Sequence, residues 1–260
     1  MAGVTVADDG IAGLTLALRL RLRRVPVTLV PAPPRVPDQP FTLPAPYRDL
    51  FLKTGAPLEE AVGLEPAPGR CLVVGGTSLQ MPSAGQQANV IRQCWGDRAA
   101  DEWAALLRLA AARWSALRVG AGGSERSLAS LGRRHLRDRR LRLLLASFAE
   151  AHGLEPARVG DAAVVLPYLE QVFGRWQFPG GMASLEAELR RRCRELGVEE
   201  SASDGGGAPA LTVEGFWQDA FTAPRRWARG SRATVSTVAL GLPWVGMAAE
   251  MQAQAMPRER

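Results

Sequence analysis

Val4-Thr5-Val6-Ala7-Asp8-Asp9-Gly10-Ile11-Ala12-Gly13-Leu14 reads as a short strand, a tight turn and the first turn of a helix. Thr15-Leu16-Ala17-Leu18-Arg19-Leu20-Arg21-Leu22 continues that helix, and Val25-Pro26-Val27-Thr28-Leu29-Val30 makes a second apolar strand. Strand, helix and strand within about 30 residues form the βαβ unit that opens a dinucleotide-binding α/β domain. The fingerprint of that unit is G-x-G-x-x-G. Here it is Asp8-Asp9-Gly10-Ile11-Ala12-Gly13, with the later two glycines in place and an aspartate at the first position.

In such a turn the first glycine permits the bend, the second lets backbone approach a pyrophosphate, and the third closes the helix onto the strand. The pyrophosphate is anionic and rests on the amides and positive dipole end of the helix. Asp8 and Asp9 place two carboxylates beside that spot, where like charges repel. A second hallmark, an acidic residue after the second strand that accepts a ribose hydroxyl, falls on Pro31, which has no acceptor side chain. Gly10-Ile11-Ala12-Gly13 is the candidate cofactor loop, although helix–strand packing alone would also demand small residues at Gly10 and Gly13.

The chain has 260 residues, 47% of them hydrophobic, enough to bury a core as one large domain or two small ones. Its net charge is +6, and Lys53 is the only lysine, so the excess is almost entirely arginine. With no recognition motif beside the charge, a dispersed basic surface is the reading, and no nucleic-acid partner is expected. Cys71, Cys94 and Cys193 lie far apart, and His135 and His152 are the only imidazoles, so no metal site is expected. Sparse, odd cysteines and an N-terminus that enters a strand at once suit a cytoplasmic protein. No apolar run approaches the ~20 residues that span a bilayer.

Pro31 to Pro46 carries seven prolines, which argues against regular structure there. A short helix is expected over Tyr47–Lys53. A hairpin of Cys71–Val74 and Ser78–Met81 is joined by Gly75-Gly76-Thr77. Ala99–Val119 is the clearest helix, with Trp103, Leu106, Leu107, Ala110, Trp114 and Leu117 on one face. Leu128–Ala151 reads as a second long helix, rich in arginine from Arg133 to Arg142. Such a run is usually a solvated face; it could also meet a membrane surface peripherally or an anionic ligand. A third helix is expected over Ser184–Leu196, with Ser184 as N-cap and Gly197 as stop. Ser201–Pro209, around Asp204-Gly205-Gly206-Gly207, reads as a joint.

The βαβ opening resembles the flavin-binding start of the phytoene desaturase branch of the flavin amine oxidase superfamily. Further along, the same resemblance is carried by Thr42–Phe51, His135–Leu144, Pro167–Gly174 and, most specifically, Gly174-Arg175-Trp176-Gln177-Phe178-Pro179-Gly180-Gly181-Met182. Gly241-Leu242-Pro243-Trp244-Val245-Gly246-Met247 resembles the terminal flavin-facing loop and helix. The resemblance covers residues 4 to about 200 and again about 234 to 256. It implies an α/β fold: a Rossmann-like FAD-binding lobe over 1–45 and 198–260, to which a C-terminal helix returns, and a largely helical substrate lobe over 46–197. It implies FAD as cofactor, accepting hydride equivalents from an apolar polyene or isoprenoid-like substrate, with the flavin doing the chemistry. By the same resemblance Gly10, Ile11, Ala12, Gly13, Gly241, Leu242, Pro243, Gly246 and Met247 approach the cofactor. Trp176, Phe178, Gly180, Gly181 and Met182 line the substrate channel, an aromatic stripe being more often plain core.

Four departures weaken the implied cofactor site. They are Asp8 at the first glycine, Pro31 at the ribose acceptor, a missing paired-glycine loop after the second strand, and Val238-Ala239-Leu240 where terminal glycines are expected. Together they predict weak or absent FAD. Two functions follow: an FAD-dependent oxidoreductase of the desaturase type, or a degenerate non-redox relative that binds an apolar ligand or a protein partner. No nucleophile–base pair stands out as catalytic.

Overall fold

The computed structural model describes residues 3–6, 8–30, 41–74, 76–118, 126–201, 210–213, 232–235, 246, 249–250 and 253–254. In chain order the elements are β1 Val4–Val6, α1 Ile11–Leu22, β2 Val27–Leu29, β3 Phe41–Thr42, α2 Ala45–Lys53, α3 Leu58–Val62, β4 Glu65–Pro66, β5 Arg70–Val74 and β6 Thr77–Met81. They continue with α4 Gln87–Trp95, α5 Asp97–Arg118, α6 Leu128–His135, α7 Arg139–Glu150, a 3₁₀ turn Asp161–Val164, α8 Val165–Phe173, β7 Arg175–Gln177 and α9 Gly181–Glu195. Three strands complete the series: β8 Glu199–Glu200, β9 Ala210–Val213 and β10 Arg232–Val235. The contacts divide the chain into two units, residues 1–65 with 177–260, and residues 66–176. The expected boundaries at 45/46 and 197/198 both fall within the first unit.

The first unit is a Rossmann-like α/β fold. Among the described residues its main sheet has five strands, all parallel, in the order β8-β2-β1-β10-β9, with Val4 opposite Val27 and Val6 opposite Leu29. Parallel neighbours need a crossover, and α1 supplies it between β1 and β2. That helix is apolar nearly all round, and Leu14, Leu16, Leu18 and Leu20 are all fully buried, as a helix covered on every side requires. Helix α9 packs on it, with the Cys193 thiol 3.6 Å from the Leu14 carbonyl. After Gly197 the chain adds β8 beside β2, and β10 and β9 extend the sheet on the other side of β1.

Among the described residues, the second unit, 66–176, holds the β5–β6 hairpin and the helices α4 to α8. The hairpin is antiparallel as expected, but Thr77 belongs to β6 rather than to the turn: it lies opposite Val74, and Gly76 before it takes φ +81°. Trp103, Leu106, Ala110, Trp114 and Leu117 of α5 are all buried, as their spacing predicts, whereas Leu107, expected on the same face, is half-buried. Trp103 packs beside Phe148 (ring centroids 6.0 Å apart) and donates its indole N–H to Gln87 Oε1 at 3.0 Å. Gln87 in turn donates to the Pro167 carbonyl at 2.9 Å, so the buried amide is matched at both ends.

Three expectations are corrected, and two helices appear that none anticipated. The proline-rich connector does hold regular structure at its end: β3 begins at Phe41 and α2 at Ala45. Pro46 sits in the helix's first turn, where a missing N–H costs nothing. The long helix over 128–151 is two helices. Leu136 is extended, and the Asp138 side chain accepts from Arg140 N at 2.8 Å to start α7 afresh. Ser184 is not an N-cap; α9 begins at Gly181, and the Ser184 hydroxyl donates back to the Gly181 carbonyl. Finally, α4 and α8, which the spacing of apolar residues did not announce, pack against α5.

Candidate functional site

Helix α1 starts without a side-chain cap at its own N-cap, Gly10, and has no acidic residue in its first turn. The cap comes from two residues upstream. Asp8 is 6% exposed, and its carboxylate accepts from Gly10 N at 2.7 Å and from Gly13 N at 3.0 Å. These are the amides that a dinucleotide's pyrophosphate would meet at the positive end of the helix dipole. Asp8 therefore does more than repel an incoming phosphate: its own charge already occupies the donors. Gly13 is needed for packing, since a Cβ there would lie 1.8 Å from the Asp8 carbonyl oxygen. Gly10 is less confined, its nearest neighbour being Asp8 Oδ1 at 3.1 Å.

The rest of the turn is tied to α9. Arg190 donates to the Asp9 carbonyl at 2.5 Å and pairs with Glu200 at 3.1 Å, at the end of β8 beside β2. Ile11 is half-buried and Ala12 buried in the first turn of α1. Pro31 and the following loop, like Gly241, Leu242, Pro243 and Met247, lie outside the described residues. Gly246 is helical and buried; a Cβ there would come within 3.0 Å of both Pro46 and the Tyr47 ring. The C-terminal helical residues also reach α1, where Glu250 pairs with the buried Arg19 at 2.7 Å.

The candidate substrate residues fall in different surroundings. Trp176 is half-buried in β7, and its indole N–H donates to the Phe173 carbonyl at 2.7 Å. Phe178 is buried against Phe41, ring centroids 5.0 Å apart. Gly180 lies against Ser184, and Gly181 takes φ +66° at the start of α9 with open space around it. Met182 is half-buried one residue on.

Arg192, in the last turn of α9, is fully buried. It donates to Glu188 at 2.8 Å, to the Phe51 carbonyl at 2.8 Å, to the Thr54 hydroxyl at 2.8 Å and to the Ala56 carbonyl at 3.0 Å, with its guanidinium 4.1 Å from the Phe51 ring centre. This side chain pins α9 to the turn after α2. Burial pushes the Cys193 thiol up to about 12, so it is no nucleophile at neutral pH. Among the described residues no three His, Cys, Asp or Glu side chains gather as a metal site. Nor is any described helix long and apolar enough to cross a membrane.

No protein-family profile matches the chain, and no curated protein matches it. Among solved structures, a putrescine oxidase double mutant from a redesign of cofactor binding aligns with 81% of this chain and 52% of its own, at 14% identity and a TM-score of 0.48. Cyclohexylamine oxidase from Brevibacterium oxydans aligns over the same shares, 81% and 52%, at 17% identity and a TM-score of 0.45. An oxidoreductase from Methanosarcina mazei aligns over 78% and 51% at 14% identity and a TM-score of 0.42. The chain spans about half the length of these proteins. At these scores the likeness is one of chain course, and the α/β assignment rests on the sheet itself.

FAD is the cofactor that the resemblance implies, and the residues present do not fit its pyrophosphate as they are arranged. The two α1 amides are satisfied by Asp8, and a second anion there would face a buried carboxylate.

Proposed function

We propose that the chain is a flavin-oxidoreductase-like protein whose dinucleotide loop is closed by its own Asp8, and that it acts as a non-redox binder of an apolar ligand. The observation that carries this reading is the Asp8 carboxylate on the Gly10 and Gly13 amides. Two charge-assisted hydrogen bonds in a buried site are each worth roughly 1.5–3 kcal/mol. A phosphate must displace both and find another place for the carboxylate.

The second reading is an FAD-dependent oxidoreductase of the phytoene desaturase type, acting on a polyene or isoprenoid-like substrate. It is supported by the intact parallel β1–α1–β2 register, by Gly10 and Gly13, and by the C-terminal helical residues that return to α1 through Glu250 and Arg19. In that reading Asp8 must leave the amides before FAD can load.

The visible absorption spectrum of the purified full chain, before and after addition of FAD, separates the two. A flavin band that co-purifies, or saturable uptake of added FAD, refutes the non-redox reading. Colourless protein that takes up no FAD refutes the oxidoreductase. A thermal-shift titration with a carotenoid precursor then tests the ligand: a saturable rise in Tm is expected, and its absence removes the apolar-ligand assignment.

A further inference from the structure

The break between α6 and α7 creates a cleft wholly within residues 128–156. Helix α6 ends at His135, Leu136 is extended, and Asp138 restarts the chain as α7, which folds back on α6. The two helices meet at Gly132, where a Cβ would sit 3.3 Å from Leu145 Cδ2. Beside this contact lies an open cleft of about 310 Å³ with a mostly apolar lining that includes Leu143, Leu145 and Ala146. Three arginines, Arg133, Arg139 and Arg142, also line it. Leu143 is 42% exposed, an apolar side chain left at the surface.

The charges around the cleft are unequal in their commitments. Arg140 holds both oxygens of Asp138, at 3.1 and 2.7 Å, and Arg158 pairs with Glu155 at 3.0 Å. Among the described residues none of Arg133, Arg139 and Arg142 forms an ion pair, and the buried Nε of Arg142 has no hydrogen-bond acceptor. Three arginines outside any ion pair, of which Arg142 also acts on Asp138 at longer range, beside an apolar floor are complementary to one kind of small molecule: an anionic head on a hydrocarbon tail. Guanidinium is the side chain best suited to bind phosphate and carboxylate oxygens in pairs, and the volume lies at the lower end of small-molecule pockets, roughly 300–1,000 Å³.

We infer that the α6–α7 cleft binds a single amphiphilic anion, its phosphate or carboxylate head on Arg133, Arg139 and Arg142 and its chain against Leu143, Leu145 and Ala146. This assignment goes beyond the proposed function and does not depend on whether a flavin loads, because the cleft shares no residue with the α1 loop. The binding takes one free molecule rather than a bilayer face, since the cleft runs between two helices and its floor includes Leu145, only 2% exposed.

The test is calorimetric titration of the full chain with dodecyl phosphate below its micelle-forming concentration. Saturation at one molecule per chain is expected, with inorganic phosphate and dodecanol each binding at least tenfold more weakly. Arg142→Gln and Arg133→Gln are each expected to weaken binding about tenfold, and Ala146→Leu, which fills the cleft without removing a charge, to weaken it similarly. Circular dichroism of each variant confirms that it is folded. Absence of saturable binding overturns the assignment, as does inorganic phosphate binding as tightly as the amphiphile. It is equally overturned if the variants bind unchanged, or if the chain sediments with phosphatidylglycerol vesicles yet ignores the free amphiphile.

Discussion

Replacing Asp8 by alanine removes the acceptor for two amides at the start of α1, Gly10 N at 2.7 Å and Gly13 N at 3.0 Å. Losing a side-chain cap at a helix N-terminus costs about 0.5–2 kcal/mol. Losing a negative charge at the positive end of the dipole adds about 0.3–1 kcal/mol, and up to about 2 where the site is partly buried. Relief of the carboxylate's own desolvation works the other way. We expect a net loss of about 2 kcal/mol for Asp8→Ala, a fall in Tm of roughly 4–8 °C for a chain of this size. Asp8→Asn leaves one oxygen for two donors and should lie between. Urea unfolding followed by circular dichroism is the assay, with the slope compared so that a change in compactness is not read as stability. A second arm uses Asp8→Gly, which frees the amides without adding bulk. Pyrophosphate at about 100 times its Kd should then raise stability by about 2.7 kcal/mol, with little effect on the parent. The reasoning fails if Asp8→Ala stays within about 0.5 kcal/mol of the parent, the range of an ordinary surface change. It fails equally if pyrophosphate stabilises the parent as much as Asp8→Gly.

The two fingerprint glycines should respond differently to a methyl group. Gly13→Ala drives a Cβ to 1.8 Å from the Asp8 carbonyl oxygen and should cost more than about 3 kcal/mol or abolish folding, overpacking against backbone that cannot give way being the severe case. Gly10→Ala meets only the Asp8 carboxylate and should stay near neutral; equal costs in urea unfolding would contradict the packing role given to Gly13. Arg192→Leu should destabilise by about 3–5 kcal/mol, because it removes the buried cation that ties Glu188 to the Phe51 and Ala56 carbonyls. Arg192→Lys should recover only part of that, since an ammonium cannot reach four acceptors in a plane. An Arg192→Leu variant as stable as the parent would exclude the pinning role. For pH, hydrogen bonds from Arg191 and Arg192 hold the Glu188 carboxyl below its usual range, outweighing burial, and Arg140 does the same for Asp138. Burial pushes Asp49 upward, but Lys53 and Arg19 more than offset it. Carboxyls depressed in the folded state stabilise it above their ordinary pKa values, about 3.9–4.3. That contribution is lost as pH falls through their lower folded values. Tm should therefore drop below about pH 4, and Glu188→Gln should make the acid limb shallower; an unchanged limb would show that Glu188 contributes nothing there.

Much of this architecture is legible in local pattern. The βαβ unit follows from alternating strand and helix runs around Gly10 and Gly13, and α5 from the spacing of Trp103, Leu106, Ala110, Trp114 and Leu117. The hairpin follows from two short apolar strands around a glycine turn. What periodicity missed was decided by single side chains acting as caps. Asp138 splits an arginine-rich apolar run that reads as one helix, because its carboxylate captures Arg140 N at the start of α7. Helix α4 carries an amphipathic pattern too short to stand out, and it is fixed instead by Gln87 bridging Trp103 and Pro167.

Local residue order alone places a dinucleotide-type turn at residues 8–13 with an aspartate where its first glycine belongs. It could place that carboxylate only near the phosphate position, as a repelling charge. Where the carboxylate points depends on how α1 closes against β1, with Gly13 packed on the Asp8 backbone so that its amide and that of Gly10 face inward. That closure is a tertiary fact, and it turns Asp8 from a neighbour of the anion site into its occupant. Arg192 and Arg19 carry the same lesson. In the sequence they are two of many arginines, and only the packing of α9 on α2, and of α1 against Asp49 and Glu250, takes them out of solvent and makes their charges structural.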